Sequence, residues 1–430
     1  MKIGVVADDI TGANDIGSMF ANGGYVAHVY AHDSFDPTDV WSAGERPDVC
    51  IIDTNSRLDE FDVAYAKVHS ATQQLQQIGC EHFFNKTCSV FRGNIGAEFD
   101  AMLDALGEEF AVVVLGFPKN GRTTVDGVHR VHGERLEDSP FRNDPIHPTT
   151  RSDLVTILQA QTRRKVALID HHVIEQGVDA LRRCIKEMKD RCNYVILDVP
   201  DQSALRTIAQ GVSDQRVLCG SSALAEELPA VWGAARSDRR RDTLPHFGTD
   251  GTLCAAGSLT PQTRAQIEHL RSLDLPAAEI DTLCIFDDDA RQDQIDRAIN
   301  LLSQPLERGQ PALVYGANNP EVVAGTRAEG ARRGLQPTAV ARLVEQMLAE
   351  IVARTLERTA SRRLVVAGGE TSAAICRRLG VHGMRIWREI QPGLPSCVTL
   401  TDPPLLLVLK SGSFGTADFL EQAIAHMQSQ

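Results

Sequence analysis

An α/β protein of two domains, each a mostly parallel sheet flanked by helices, is the fold class the sequence predicts, and three observations predict it. Short apolar, partly β-branched runs alternate with helix-length segments along the whole 430-residue chain. That length exceeds what one hydrophobic core usually organises, so two domains are expected. The apolar runs also end, again and again, in glycine, hydroxyl or charged residues. Strands of an open α/β sheet end that way where they present a ligand edge.

Residues 3–7 form the first buried strand. Asp8, Asp9, Thr11 and Gly12 follow at once, then a helix-like run over residues 14–22. Asp8 and Asp9 therefore fall at the sheet edge, with Thr11 and Gly12 opening a helix toward an anion. Helix capping accounts for one polar residue here but leaves the adjacent carboxylate idle. Strands are predicted at 25–30 and 49–52, the second ending in Asp53-Thr54-Asn55-Ser56-Arg57, with a helix at 62–76. Phe83-Phe84 leads into a polar stretch carrying Lys86, Ser89, Arg92, Gly93 and Asn94. A helix at 98–106 and a strand at 111–115 come next, then a long Gly- and His-bearing loop from Asn120 that contains Gly121-Arg122-Thr123-Thr124. His129, His132 and His147 lie in it without metalloprotease-like spacing and are read as structural or exposed. Further strands are predicted at 165–169, 194–197 and 217–219.

Residues 233–250 hold Arg239-Arg240-Arg241, Pro245 and Gly248 and no periodic apolar face. This stretch reads as a linker between domains 1–235 and 248–430. The second half restarts the alternation, with strands at 252–256, 312–315, 364–367 and 405–409 and a long helical tract at 339–359.

Composition narrows the function classes. The formal charge is −13, which opposes nonspecific binding to nucleic acid or to an anionic membrane. No apolar run is long enough to span a bilayer, and the chain enters a strand without a secretory signal pattern. The 10 cysteines are scattered, none in a CxxC pair, and read as buried reduced thiols of a cytoplasmic protein. No zinc-ligand spacing is present in the sequence.

Two constellations carry chemistry. In the second half, Gly257-Ser258 with Thr260, Gly368-Gly369-Glu370-Thr371, and Gly412-Ser413 with Gly415 each join an apolar strand to a following polar turn. Such turns offer backbone N–H groups and hydroxyls to phosphate. Lys410 is placed to neutralise phosphate, and Glu370 to meet ribose hydroxyls or the water shell of Mg²⁺. No P-loop, dinucleotide fingerprint or protein-kinase motif set accompanies them. In the first half, Asp8 and Asp9 are the acids, Arg57, Lys86, Arg92 and Arg122 the cations and Asn94 the amide. That set suits a small polyhydroxy acid, with cations holding a carboxylate and Asp or Asn reading hydroxyls. One domain with carboxylates and one with phosphate-cradling turns meets the needs of phosphoryl transfer to an alcohol if a cleft closes between them.

These residues resemble the four-carbon acid sugar kinase family. The resemblance rests on Ala7-Asp8-Asp9-Ile10-Thr11-Gly12-Ala13, Arg92-Gly93-Asn94, Gly121-Arg122-Thr123-Thr124, Asp144-Pro145, Gly368-Gly369-Glu370-Thr371-Ser372 and Lys410-Ser411-Gly412-Ser413-Phe414-Gly415. It implies a sugar-acid-binding first domain, a nucleotide-binding second domain, and ATP with Mg²⁺ as cofactors. The reaction implied is phosphorylation of the 4-hydroxyl of D-threonate, D-erythronate or a 3-oxo-tetronate. The 121–161 loop, with Asp144-Pro145 and Pro148, is more similar to the threonate/erythronate branch. Asp8 or Asp9, with Asp9 preferred, would take the hydroxyl proton. Thr11, Arg57, Lys86, Ser89, Arg92, Gly93, Asn94 and Arg122 would hold the acid. Gly257, Ser258, Thr260, Gly368, Gly369, Glu370, Thr371, Lys410, Gly412, Ser413 and Gly415 would hold ATP. Three departures stand out: Lys86-Thr87-Cys88-Ser89-Val90 where the family commonly reads Lys-x-Asp-Ser-Thr, Ser413 where Asn is usual, and Ala373 where Gly is usual. A non-catalytic sensor, a kinase for another hydroxy acid, and a metal-dependent phosphatase built on the aspartates remain as alternatives. A homodimer is compatible with this reading, and neither nucleic acid nor membrane is an expected partner.

Overall fold

The computed structural model describes residues 2–42, 46–143, 147–233 and 244–430. Asp144, Pro145 and residues 234–243 of the expected linker, including the three arginines, lie outside the described residues. The chain divides into two compact units, Met1–Arg239 and Arg240–Gln430.

The first unit runs β1 (Ile3–Ala7), α1 (Ile10–Asn22), β2 (Ala27–Ala31), α2 (Pro37–Ser42), β3 (Val49–Asp53), α3 (Phe61–Gln77), β4 (His82–Lys86), α4 (Ile95–Leu106) and β5 (Ala111–Val114). It continues through β6 (Arg122–Val125), β7 (Val128–Val131), β8 (Glu134–Arg135), α5 (Leu154–Gln159), β9 (Val166–Ile169), α6 (His171–Glu175), α7 (Val178–Met188), β10 (Tyr194–Leu197), α8 (Gln202–Val212), β11 (Val217–Gly220) and α9 (Ala223–Trp232). The strands of its main sheet are ordered β2-β3-β1-β4-β11-β5-β10-β9, and the pairs are parallel. β1 reads as one apolar run because it is central: Ile3, Val5 and Val6 are all buried. From β1 the chain first builds β2 and β3 on one side, then crosses to β4 on the other. The crevice where strand order reverses thus opens at the carboxyl ends of β3, β1 and β4. Register brings Ala7 beside both Asp53 and Lys86 at that edge.

The stretch expected as a long loop from Asn120 instead folds largely into the three-stranded antiparallel sheet β6-β7-β8 and α5. Its turns explain the difference. Asp126-Gly127 and His132-Gly133 each place two successive residues at positive φ (53° and 74°, 51° and 86°). Two-residue hairpin turns of this hand fit the twist of antiparallel strands.

The second unit comprises β12 (Thr252–Ala256), α10 (Pro261–Ser272), β13 (Ala277–Ile280), α11 (Asp288–Glu307), β14 (Ala312–Gly316), α12 (Pro320–Arg332), α13 (Pro337–Thr359), β15 (Arg363–Ala367), α14 (Gly369–Arg378), β16 (Gly383–Gln391), β17 (Leu394–Thr399), β18 (Leu406–Lys410) and α15 (Phe419–Gln428). Its strands are ordered β13-β14-β12-β15-β18-β17-β16, parallel as far as β18 and antiparallel beyond it. Buried side chains of β12, β15 and β18 pack with α10 and α15 into one apolar cluster. The carboxyl ends of β12, β15 and β18 are neighbours, so the three glycine-bearing turns share one edge.

Candidate functional site

In the first unit the edge is organised by Arg57. Its Nε and Nη2 donate to Asp8 Oδ2 and Oδ1, each over 2.7 Å, in a bidentate fork, and Nη1 donates to Asp9 Oδ2. All three side chains are largely withdrawn from water. Asp9 also caps α1: its Oδ1 accepts from Gly12 N–H over 2.7 Å, and its Oδ2 from the Thr11 hydroxyl over 3.0 Å. Burial raises its pKa, but the charges of Arg57 and Lys86 and the Gly12 N–H outweigh that and hold the Asp9 carboxyl below its usual range.

The loop after β3 is held from below. The Thr54 hydroxyl donates to the Ala7 carbonyl (2.9 Å), Ser56 Oγ donates to Glu98 Oε1 (2.7 Å), and Asn94 Nδ2 donates to the carbonyls of Ser56 and Asp59 (3.2 and 2.7 Å). Gly93, at φ 115°, allows close approach: a Cβ there would sit 3.1 Å from Arg57 Cγ. Gly93 and Asn94 therefore stand behind Arg57 and fix its loop. Lys86 is buried, and its Nζ donates to the Thr87 carbonyl over 3.1 Å. It has no other protein acceptor among the described residues. A methyl on Gly12 would come within 2.9 Å of that Nζ and 2.5 Å of Asp9 Oδ1.

Two acids of this edge were not assigned a role from the sequence. Burial, reinforced by the charges of Asp9 and Asp8, pushes Asp53 up to about 7 against the pull of the Asn55 N–H and Arg57. Burial and the Asp8 charge push Glu98 well above the ordinary carboxyl range. The strand-end signal at Asp53 was visible in the sequence. Its crowding among carboxylates was not, because that depends on parallel register.

The remaining candidates are placed less centrally. Arg122 is buried and donates to the Asn120 carbonyl, and burial lowers its pKa against the pull of Asp15. Cys88 is half-buried. Ser89 lies against His129, which is wholly buried, with its pKa pushed down by burial to about 3. Arg92 is half-buried.

In the second unit the three turns touch. Gly257 N and Ser258 N donate to the Ala367 carbonyl (3.1 and 3.3 Å), and Gly368 N donates to the Lys410 carbonyl (2.9 Å). A Cβ on Gly257 would strike Thr371 Oγ1 at 2.2 Å, and one on Gly412 would strike Ser258 Oγ at 2.2 Å. The glycines are there because the turns pack backbone to side chain. Gly368 takes φ 130°, and Gly369 and Glu370 begin α14 with Glu370 exposed. Thr260 caps α10 and its hydroxyl donates to the Gly412 carbonyl over 2.5 Å. Lys410 is 0% exposed and donates to Thr263 Oγ1 over 3.0 Å. Burial drives its pKa down to about 7. Ser413 and Gly415 lie half-buried in the same turn. Glu345 of α13, unassigned from the sequence, is pushed up to about 7 by burial and by the charge of Glu370.

Comparisons with known proteins agree with this division. A sugar-binding N-terminal domain model matches residues 3–228, and a nucleotide-binding C-terminal domain model matches residues 253–420. A 3-oxo-tetronate kinase of Pseudomonas fluorescens is 35% identical over 433 residues, covering 99% of this chain and 97% of its own. A 3-oxo-tetronate kinase of Pseudomonas savastanoi pv. phaseolicola is 34% identical with the same coverage. Among solved structures, a Salmonella typhimurium LT2 protein matches with TM-score 0.83 at 27% identity, over 99% of this chain and 100% of its own. A Haemophilus influenzae protein matches with TM-score 0.75 at 28% identity, with the same coverage.

Proposed function

The chain belongs to the four-carbon acid sugar kinase family, and on that premise we propose that it transfers the γ-phosphoryl group of ATP to the terminal hydroxyl of a four-carbon sugar acid. The observation that carries the reading is the pairing of two edges: cations and carboxylates gathered around Arg57 in one unit, and three packed glycine turns with a buried lysine in the other. The relatives' names favour a 3-oxo-tetronate as acceptor. The character of the 121–161 segment favours D-threonate or D-erythronate. The relatives match over nearly the full chain, which supports a 3-oxo-tetronate as the acceptor.

Asp8 and Asp9 hold the Arg57 guanidinium, and Lys86, whose Nζ donates to one carbonyl only, has donors to spare for the acid's carboxylate. Asp9, the base expected from the sequence, is held below its usual pKa and is a weak proton acceptor. Asp53, at about 7, is tuned to accept the hydroxyl proton near neutral pH. Ser258, Thr371 and the backbone N–H groups of the turns hold the phosphates, with Lys410 neutralising them. Mg²⁺ suits the Glu345–Glu370 pair, whose mutual repulsion a hard cation relieves, and when bound it neutralises charge on the phosphates.

The test is a coupled ADP assay with ATP, Mg²⁺ and a panel of 3-oxo-tetronates, D-threonate and D-erythronate. ADP release dependent on one of these acids is expected. ATP binding without acid-dependent ADP release would favour a sensor instead.

A further inference from the structure

One face of α10 does what the face of a sheet-packed helix seldom does. Thr260 at its cap, then Thr263 and Gln266, stand one turn apart on the same side. Thr263 and Gln266 are wholly buried, where apolar side chains would be expected. The side chains of all three donate to the turn after β18. The hydroxyls of Thr260 and Thr263 donate to the Gly412 carbonyl over 2.5 and 2.9 Å. Gln266 Nε2 donates to the carbonyls of Phe414 and Thr416 over 3.1 and 2.9 Å. The three carbonyls held belong to alternate residues.

That alternation has a geometric consequence. These peptide bonds are trans, so in each the C=O and the following N–H point in opposite directions. Holding the carbonyls of Gly412, Phe414 and Thr416 against α10 turns the N–H groups of Ser413, Gly415 and Ala417 away from it. None of those three N–H groups has a protein acceptor among the described residues. On the same hub sits the ammonium of Lys410, 0% exposed, donating to Thr263 Oγ1 (3.0 Å) and the Gly412 carbonyl (3.3 Å). No carboxylate lies within ion-pair distance of it among the described residues. A buried ammonium and a row of outward N–H groups together call for an anion.

We infer that Thr263 and Gln266 are positioning residues that hold residues 412–417 with the N–H groups of Ser413, Gly415 and Ala417 turned toward the phosphate chain of ATP. The inference rests on the reading of the second unit as the ATP site. Neither side chain is proposed to touch the nucleotide; both act through the backbone of the turn.

The test is titration calorimetry of the full chain with ATP and, separately, with adenosine. Thr263→Val removes the hydroxyl that joins Lys410 to Gly412. Gln266→Met removes the amide at similar size and shape. Each is expected to weaken ATP about tenfold or more, the scale of losing a hydrogen-bonded arrangement around a charged ligand, with adenosine changed by less than about twofold. Thr263→Ser keeps the hydroxyl and is expected to bind ATP as the parent does. Circular dichroism checks folding; should Thr263→Val not fold, Gln266→Met and Thr263→Ser carry the test. Unchanged ATP affinity in the folded variants overturns the inference. So does equal weakening of ATP and adenosine, which marks a general packing role, or a Thr263→Ser variant as weak as a folded Thr263→Val. A parent chain that binds neither ligand overturns the ATP reading itself and this inference with it. A parent that binds ATP while the variants match it overturns this inference alone.

Discussion

Arg57 spends three of its five N–H donors on Asp8 and Asp9, and that division of donors assigns the neighbouring residues their work. Lys86, whose Nζ donates to one carbonyl only, has donors left for the proposed carboxylate. Lys86→Met is therefore expected to raise KM for the sugar acid more than tenfold, on the scale of a lost charged hydrogen bond, and to leave ATP affinity unchanged; steady-state kinetics beside ATP titration separates the two. The acids divide the same way. Asp53 titrates near 7, so kcat/KM should rise with pH through about 7 and Asp53→Asn should lose that limb. Asp9→Asn keeps α1 capped, since Asn caps as well as Asp, and should lower turnover while retaining the limb. If Asp9→Asn loses the limb and Asp53→Asn keeps it, the proton belongs to Asp9. Stability gives an independent sign. Asp53 is raised from 3.8 to about 7 in the folded chain, so the folded state binds the proton more strongly and loses stability as pH rises through that window. Asp53→Asn should therefore melt higher than the parent at pH 8 and show no such gain at pH 4.

At the scale of elements, α1 matters through how it begins. Asp9 is both cap and partner of Arg57, and Gly12 leaves room for Asp9 and Lys86 to approach the helix. Gly12→Ala places a methyl 2.5 Å from Asp9 Oδ1; we expect a loss of roughly 1–3 kcal/mol by denaturant unfolding and a fall in affinity for the acid. The same scale shows what the sequence could disclose. Strand ends such as Asp8-Asp9, Asp53 to Arg57 and Gly368-Gly369 were legible, because a short apolar run followed by polar residues is a local pattern. The hairpins at Asp126-Gly127 and His132-Gly133 were locally encoded too, but histidines and scattered polar residues masked the weak alternation of β6 and β7. Glu98, Gln266 and Thr263 were not legible. Each looks like an ordinary helix residue until the turn it serves is brought against it by distant strands.

At the scale of the whole molecule, an acidic chain of net charge −13 must bind anionic ligands through local cations held by structure. Lys410 is the extreme case, wholly buried and titrating at about 7 rather than 10.5. At pH 8 it is mostly neutral before ATP arrives, and the phosphates draw a proton onto it. Calorimetry in buffers of different ionisation enthalpy should read uptake of up to about one proton per ATP bound at pH 8, above the second ionisation of phosphate, and Lys410→Met should abolish it. No helix among the described residues is long and apolar enough to cross a membrane. Phosphorus-31 NMR of the chain incubated with ATP, Mg²⁺ and a four-carbon sugar acid tests the central claim most directly. A new phosphomonoester signal coupled to the C4 protons, growing as ADP forms, is the result predicted. ATP consumed only to inorganic phosphate, or a sugar acid left unmodified while ATP binds, would contradict it.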